Sequence, residues 1–174
     1  MNIQVAPKVK CIMGMIYSSD SDLDLCLFHL EKVFGSIDLK SNEYFFNVTD
    51  YYEDEMGKEL KRKFVSFRKL IEAQQLSEIK RLSNIIEIEY SNQKKRSINL
   101  DPGYLDMDKF VLASAKYGRQ KIYLDKGIYA DPTLYFFKRE FHAYSWSFPD
   151  FSSGIYNEYF IKVRQQYKAQ IKDL

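Results

Sequence analysis

The chain has 174 residues, enough for one domain with a sizeable core, and an apolar fraction of 45% that argues against disorder. Its formal net charge of +2 lacks the strong basic bias of a dedicated nucleic-acid binder. Only Cys11 and Cys26 are present, outside any C-x-x-C pair, so no disulfide framework, zinc, haem or iron–sulfur site is expected. With 14 Tyr and 13 Phe the chain favours broad half-buried surfaces, because Tyr buries area while keeping one end wet.

Residues 9–17 (VKCIMGMIY) are apolar on both faces and predict a buried central strand. Ser18-Ser19-Asp20 caps a helix in which Leu23, Cys26, Leu27, Leu30, Val33 and Phe34 share a stripe, ended by Gly35. Residues 36–48 predict a second strand, then a charged connection over 49–61 and a short third strand over 63–67 (KFVSF). Leu76, Ile79, Leu82 and Ile86 mark a second helix over 70–90, and alternation over 96–100 predicts a fourth strand. The order β-α-β-β-α-β is that of the ferredoxin-like split βαβ, with both helices on one sheet face.

The remainder reads as β-rich. Residues 110–116 form one strand, and 120–124 with 128–137 form a hairpin turned by Asp125-Lys126-Gly127. Pro132 marks an edge or bulge in that hairpin, and 141–148 predicts a last strand. Ser152-Ser153 then caps a final helix carrying Tyr156, Tyr159, Phe160, Val163, Tyr167 and Ile171 on one stripe. The expectation is one α+β domain over 1–174, with a ferredoxin-like core over 8–105 and an antiparallel β-hairpin and helix extension over 106–174.

Several ordered motifs carry a resemblance: Thr49-Asp50-Tyr51-Tyr52 with Glu55-Met56-Gly57, then Asn99-Leu100-Asp101-Pro102-Gly103-Tyr104-Leu105, then 111–116 (VLASAK), Ile122-Tyr123-Leu124, Gly127-Ile128-Tyr129-Ala130, Trp146 and Pro149-Asp150. Over nearly its whole length the chain resembles the prokaryotic domain-of-unknown-function family 4416. The resemblance implies no established activity. Some members are labelled GTP-binding, but none of the seven glycines here lies in a P-loop, which excludes a P-loop GTPase. In the family a His often precedes the Ile-Tyr-Leu strand; Gln120 and Lys121 stand there in this chain, so no acid–base role is assigned to them.

Residues 50–57 hold four carboxylates, of which Asp50 and Glu55 are the functional candidates beside Tyr52; a capped helical turn from Asp50 to Glu53 is the competing reading. In 99–104, Pro102-Gly103 fits the centre of a type II turn. Asn99 and Asp101 either shape that turn or, with Tyr104, face a cleft shared with the Asp50 loop. In the split βαβ order the second and fourth strands are expected to run parallel, which puts their C-terminal ends, residues 48–50 and 100–101, on one rim as a single site. Arg62 and Lys116 supply cations, and Asp50 with Asp101 could hold Mg²⁺. Phe64-Val65-Ser66-Phe67 matches only half of an RNA-recognition motif. Residues 1–7 lack the pattern of a secretory signal and no apolar stretch is long enough to cross a bilayer, so a cytoplasmic location is expected, without a membrane partner. Three functions remain open: a protein or enzyme for a small phosphate-bearing or other anionic ligand, a non-catalytic protein-interaction or homo-oligomerisation module, and single-stranded RNA binding.

Overall fold

The computed structural model describes residues 2–49, 52–92 and 95–172. In chain order the elements are β1 (Val9–Tyr17), α1 (Asp20–Phe34), β2 (Ile37–Lys40), β3 (Tyr44–Phe45), α2 (Glu53–Met56), β4 (Lys61–Ile71), α3 (Leu76–Glu89), β5 (Ser91–Asn92), β6 (Lys95–Arg96), β7 (Ile98–Leu105), β8 (Lys109–Ser114), β9 (Ile122–Asp125), β10 (Ile128–Phe137), β11 (Glu140–Ala143), α4 (Pro149–Ser152) and α5 (Asn157–Gln170). One antiparallel sheet runs in the order β11-β10-β8-β7-β1-β4-β2, with β3 also on β4 and β9 also on β10; β5 and β6 form a separate ribbon. The fold is α+β with helices on both faces of an open sheet.

β1 is buried along its whole length, as its unbroken apolar run requires. Its odd residues Cys11, Met13, Met15 and Tyr17 pack under α1 and α3, against Leu23, Cys26, Leu27, Leu30, Ile79 and Ile86. Ile12, with Phe64 of β4, Phe110 of β8 and Phe141 of β11, packs under α5 on the opposite face, against Tyr159, Phe160, Val163 and Tyr167. Each such buried side chain is worth about 1.5–3 kcal/mol, so α5 is half of the core roof and not an appendage. Cys11 and Cys26 are free buried thiols; burial, ahead of charge effects, pushes both up to about 12.

Several expected boundaries move. The second strand splits into β2 and β3, because Ser41 leaves the ladder and its Oγ accepts the Phe64 N–H (2.9 Å). β4 runs on to Ile71, and α3 begins only at Leu76, after a 3₁₀ turn whose Glu72 and Gln75 form a capping box. The strand expected over 141–148 ends at Ala143. The last helix starts from Tyr156, not from Ser152-Ser153, which close the short α4.

The largest correction concerns Pro102-Gly103, which lies inside β7 and makes no turn. Gly103 is required by close approach: a Cβ there would sit 2.7 Å from both the Val111 carbonyl and the Phe110 ring. β1 is antiparallel to β4 and to β7, and β2 is antiparallel to β4. The second and fourth strands of the β-α-β-β-α-β half therefore run in opposite directions, and their C-terminal ends lie on opposite rims.

Candidate functional site

The rim that matters is built by the N-terminal ends of β4 and β7 and the C-terminal end of β1. Tyr17 pairs with Lys61 on one side and Ile98 on the other, and Phe45 also pairs with Lys61. Just inside this rim, strand alternation turns Arg62 and Asp101 toward the face covered by α4 and α5. Gly14 lies between their strands, paired to Phe64 and to Asp101. The Arg62 guanidinium spans this space. It donates from Nη2 to Asp101 Oδ2 (2.9 Å) and from Nη1 to Asp150 Oδ2 of α4, whose carboxylate also accepts from the Tyr156 hydroxyl (3.0 Å). The rings of Phe46, Phe64 and Phe151 lie 5.2, 5.3 and 5.2 Å from the guanidinium carbon, within cation–π range. Burial alone would lower the Arg62 pKa, but the charges of Asp150 and Asp101 outweigh it and hold the group above its ordinary value. Arg62 Nε and Asp150 Oδ1 are buried without a hydrogen-bond partner.

A second ionic group flanks the first. Arg96 makes a fork to Glu55 (2.7 and 2.8 Å) and donates from Nη1 to Glu87 (2.9 Å) and Asn99 Oδ1 (3.1 Å). The Arg96 hydrogen bonds, ahead of other effects, hold the Glu55 carboxyl below its usual range. Glu87 also accepts the Leu100 N–H (2.7 Å), and Lys80 donates to the Leu100 carbonyl (2.7 Å). β7 is paired to β8 only from Gly103 to Leu105, so these two α3 side chains take the place of a missing strand neighbour at Leu100.

Of the residues expected to form a site, the structure gathers Arg62 with Asp101, and Glu55 with Asn99 through Arg96. Tyr52 stands nearby, edge-on to Phe46 (5.9 Å). Tyr104 does not join them: three residues beyond Asp101 in an unbroken strand, it faces the other side of the sheet and packs beside Leu76 and Val111. Lys116 is exposed in the loop after β8, its backbone N–H bonded to the Ser114 hydroxyl (3.2 Å). Asp50 lies outside the described residues. Among the described residues no three His, Cys, Asp or Glu side chains converge to hold a metal ion. Phe64 and Phe67 of the RNA-motif match are both in the core. The sequence reading assigned no role to Arg96, Glu87, Lys80 or Asp150; only Asp150 carried a signal, in the Pro149-Asp150 motif of the family resemblance.

Another surface is built from apolar rings. On β10 and β11, Tyr135, Phe137 and His142 point away from α5, beyond the cover of α1 and α3. Their rings make an unbroken series of contacts: Phe137 to His142 (6.3 Å), His142 to Tyr135 (5.5 Å), Tyr135 to Tyr144 (5.0 Å), and Tyr144 to Trp146 (4.8 Å, planes 5° apart). Trp146 Nε1 donates to the Pro132 carbonyl (2.8 Å) and His142 Nε2 to the Phe137 carbonyl (3.1 Å), so both polar handles are anchored and the ring faces are presented. Phe137 is 55% exposed and Trp146 45%. Among the described residues β11 pairs with no strand but β10, and its Phe141 N–H is bonded to Asn157 Oδ1 (2.9 Å).

These features define an α+β protein with one large antiparallel sheet, an internally paired ionic rim and an aromatic face at one edge; among the described residues no helix is long and apolar enough to cross a membrane. The chain belongs to the family described as Domain of unknown function (DUF4416), whose sequence profile matches residues 7–167. No curated protein matches the chain, and neither does any solved structure.

Proposed function

We propose that this chain is a non-catalytic protein-interaction module that takes an extended segment of a partner protein on its β10–β11 aromatic face. The observation that carries this reading is the unbroken run of ring contacts from Phe137 to Trp146 on the exposed face of β10 and β11. Large rigid rings bury much area at small entropic cost and dominate interface energetics. An extended segment laid across the rings would rest alternate side chains on them; it would not add a strand, because the Phe141 N–H of β11 is already bonded to Asn157 Oδ1 (2.9 Å). Peptide selection on the wild type should enrich segments with alternating apolar residues, and binding should change the fluorescence of Trp146, the single tryptophan of the chain. At least a tenfold loss of affinity is expected in Trp146→Ala. Selected peptides that bind equally well to Trp146→Ala would sink the proposal.

A small anionic ligand at the rim, with or without Mg²⁺, has less support. Arg62 and Arg96 each already hold two carboxylates, and the group Arg62, Asp101 and Asp150 formally carries one more negative than positive charge. An incoming phosphate would have to displace Asp101 against that field. A nucleotide or sugar phosphate that raises Tm in the wild type but not in Asp101→Ala would reverse this preference. Within the same reading, the β-α-β-β-α-β half is taken as a ferredoxin-like split βαβ; the order β7-β1-β4-β2 supports it, and an experimental structure with another strand order would end it.

A further inference from the structure

A second ring cluster lies at the start of β10, on the other side of the sheet from Tyr135. Tyr129 of β10 pairs with Tyr123 of β9 on one side and with Ser114 of β8 on the other. Directly paired residues share a face, so the two tyrosines stand side by side. That face is the α5 side, because Asp131, two residues on, pairs with Leu112, which packs beneath α5. Tyr117 joins them from the loop between β8 and β9. Its ring stands 6.0 Å from that of Tyr129 at 77°, and the Tyr123 ring stands 5.4 Å from Tyr129 at 72°. Tyr117 is 78% exposed and Tyr123 57%, so their ring faces are open to water. The loop is also fastened. Lys121 donates to Ser114 Oγ (2.8 Å) and pairs with Asp131 (3.3 Å), Gln120 donates to Asp131 (3.2 Å), and the Ser114 hydroxyl exchanges bonds with the Lys116 backbone (3.1 and 3.2 Å). Tyr117 is therefore presented with little loop freedom left to lose on binding.

The charge of this region is one-sided. Residues 115–128 carry Lys116, Arg119, Lys121 and Lys126 against Asp125 alone, a net +3 where the whole chain nets +2. Lys121 is engaged with Asp131 and Lys126 with Asp125, while the exposed Lys116 and Arg119 flank Tyr117.

We propose that Tyr117, Tyr123 and Tyr129 form a stacking platform for single-stranded nucleic acid. Bases rest on the open faces of Tyr117 and Tyr123, and phosphates meet Arg119 and Lys116. Stacking of this kind tolerates any sequence, because every base has a π-face, and it calls for exposed rings beside cations. A strand in which flat bases alternate with anionic groups engages both features of the surface. An acidic peptide would meet the cations and leave the ring faces bare, and a duplex keeps its base faces inside the stack. The near-neutral total charge does not oppose this, since at physiological salt a phosphate feels charges only within roughly 8–10 Å. The platform shares no residue with the aromatic face and does not depend on it.

Fluorescence anisotropy of short labelled oligouridylate and oligothymidylate, titrated with the full chain at low salt, tests the proposal. Both should bind, with a log–log salt slope of about −1.4, from roughly 0.7 for each of two phosphate contacts. Tyr117→Ala and Tyr123→Ala, both at exposed positions, should each weaken binding about fivefold or more, whereas Tyr117→Phe keeps the ring and should bind within about twofold of the wild type. Arg119→Glu should weaken binding and flatten the salt slope. Trp146→Ala should bind as the wild type does. No binding of either oligonucleotide, unchanged binding in both Tyr→Ala variants, or equal binding of a matched duplex or of oligoglutamate would each overturn it.

Discussion

The ionic rim and the aromatic face spend their side chains in opposite ways. Around Arg62 and Arg96 each cation is held by two carboxylates, and Arg62 is covered by Phe46, Phe64, Phe151 and α4 while the Arg96 group is only partly buried. Along β10 and β11 the apolar rings face water, while the polar atoms of Trp146 and His142 are tied to the backbone. Charge at the rim does the work of a fastener between the sheet and the α4–α5 roof. Apolar surface at the edge is left over from folding and is available for another molecule.

Substitutions at the two regions should separate these roles. The largest effect is expected for Arg62→Met: it strands the buried Asp150 carboxylate, at a cost of about 3–5 kcal/mol in chemical denaturation, and adding Asp150→Leu should recover part of that loss. Gly103→Ala, between rim and edge, forces a methyl group into the Phe110 ring and the Val111 carbonyl and should cost about 1–3 kcal/mol. Glu55→Gln should cost about 0.5 kcal/mol at neutral pH, because the Glu55–Arg96 pair is only partly buried. The sign of its pH dependence follows from the depressed folded-state pKa: the pair's contribution is present above the unfolded carboxyl value near about 4.3 and is lost as pH falls through the folded value. Denaturation curves from neutral pH down to about 3 should therefore flatten in Glu55→Gln relative to the wild type. The smallest effect on stability, within about 0.5 kcal/mol, is expected for Trp146→Ala, which should instead weaken segment binding at least tenfold. Were Trp146→Ala to destabilise the fold as much as Arg62→Met, the two regions would not differ in role.

Much of this was legible in the residues themselves. The unbroken apolar run of β1, the stripe of α1 and the aromatic stripe of α5 all form as their periodicity predicts. The turn Asp125-Lys126-Gly127 has positive φ at Lys126 (50°) and Gly127 (79°), and Pro132 adjoins the break in the β10–β8 register. The failures share a cause, which is contact between distant segments. Pro102-Gly103 reads locally as a turn, yet Gly103 is there because β8 passes close to it. At the β10–β11 turn Lys138 and Arg139 both hold positive φ (48° and 71°) without a glycine to announce it. The Arg62–Asp150 pair joins residues 88 apart in the chain, beyond any local spacing rule. Asp101, read as the end of a fourth strand parallel to the second, lies instead in the first half of β7, a strand antiparallel to the second.

The short ladder between β7 and β8 has a consequence in time. Only Gly103–Leu105 of β7 pairs with β8, so the two halves of the sheet share one narrow seam. α5 lies across it, touching β1 in one half and β11 in the other, with Asn157 accepting the Phe141 N–H and Arg164 donating to the Met107 carbonyl. During synthesis α5 is the last of these pieces to leave the ribosome. Until it arrives, the two halves should move as separate bodies and the rings destined for its underside stay wet. The nascent chain should then resist proteolysis in one step, when α5 emerges, and not gradually as strands are added.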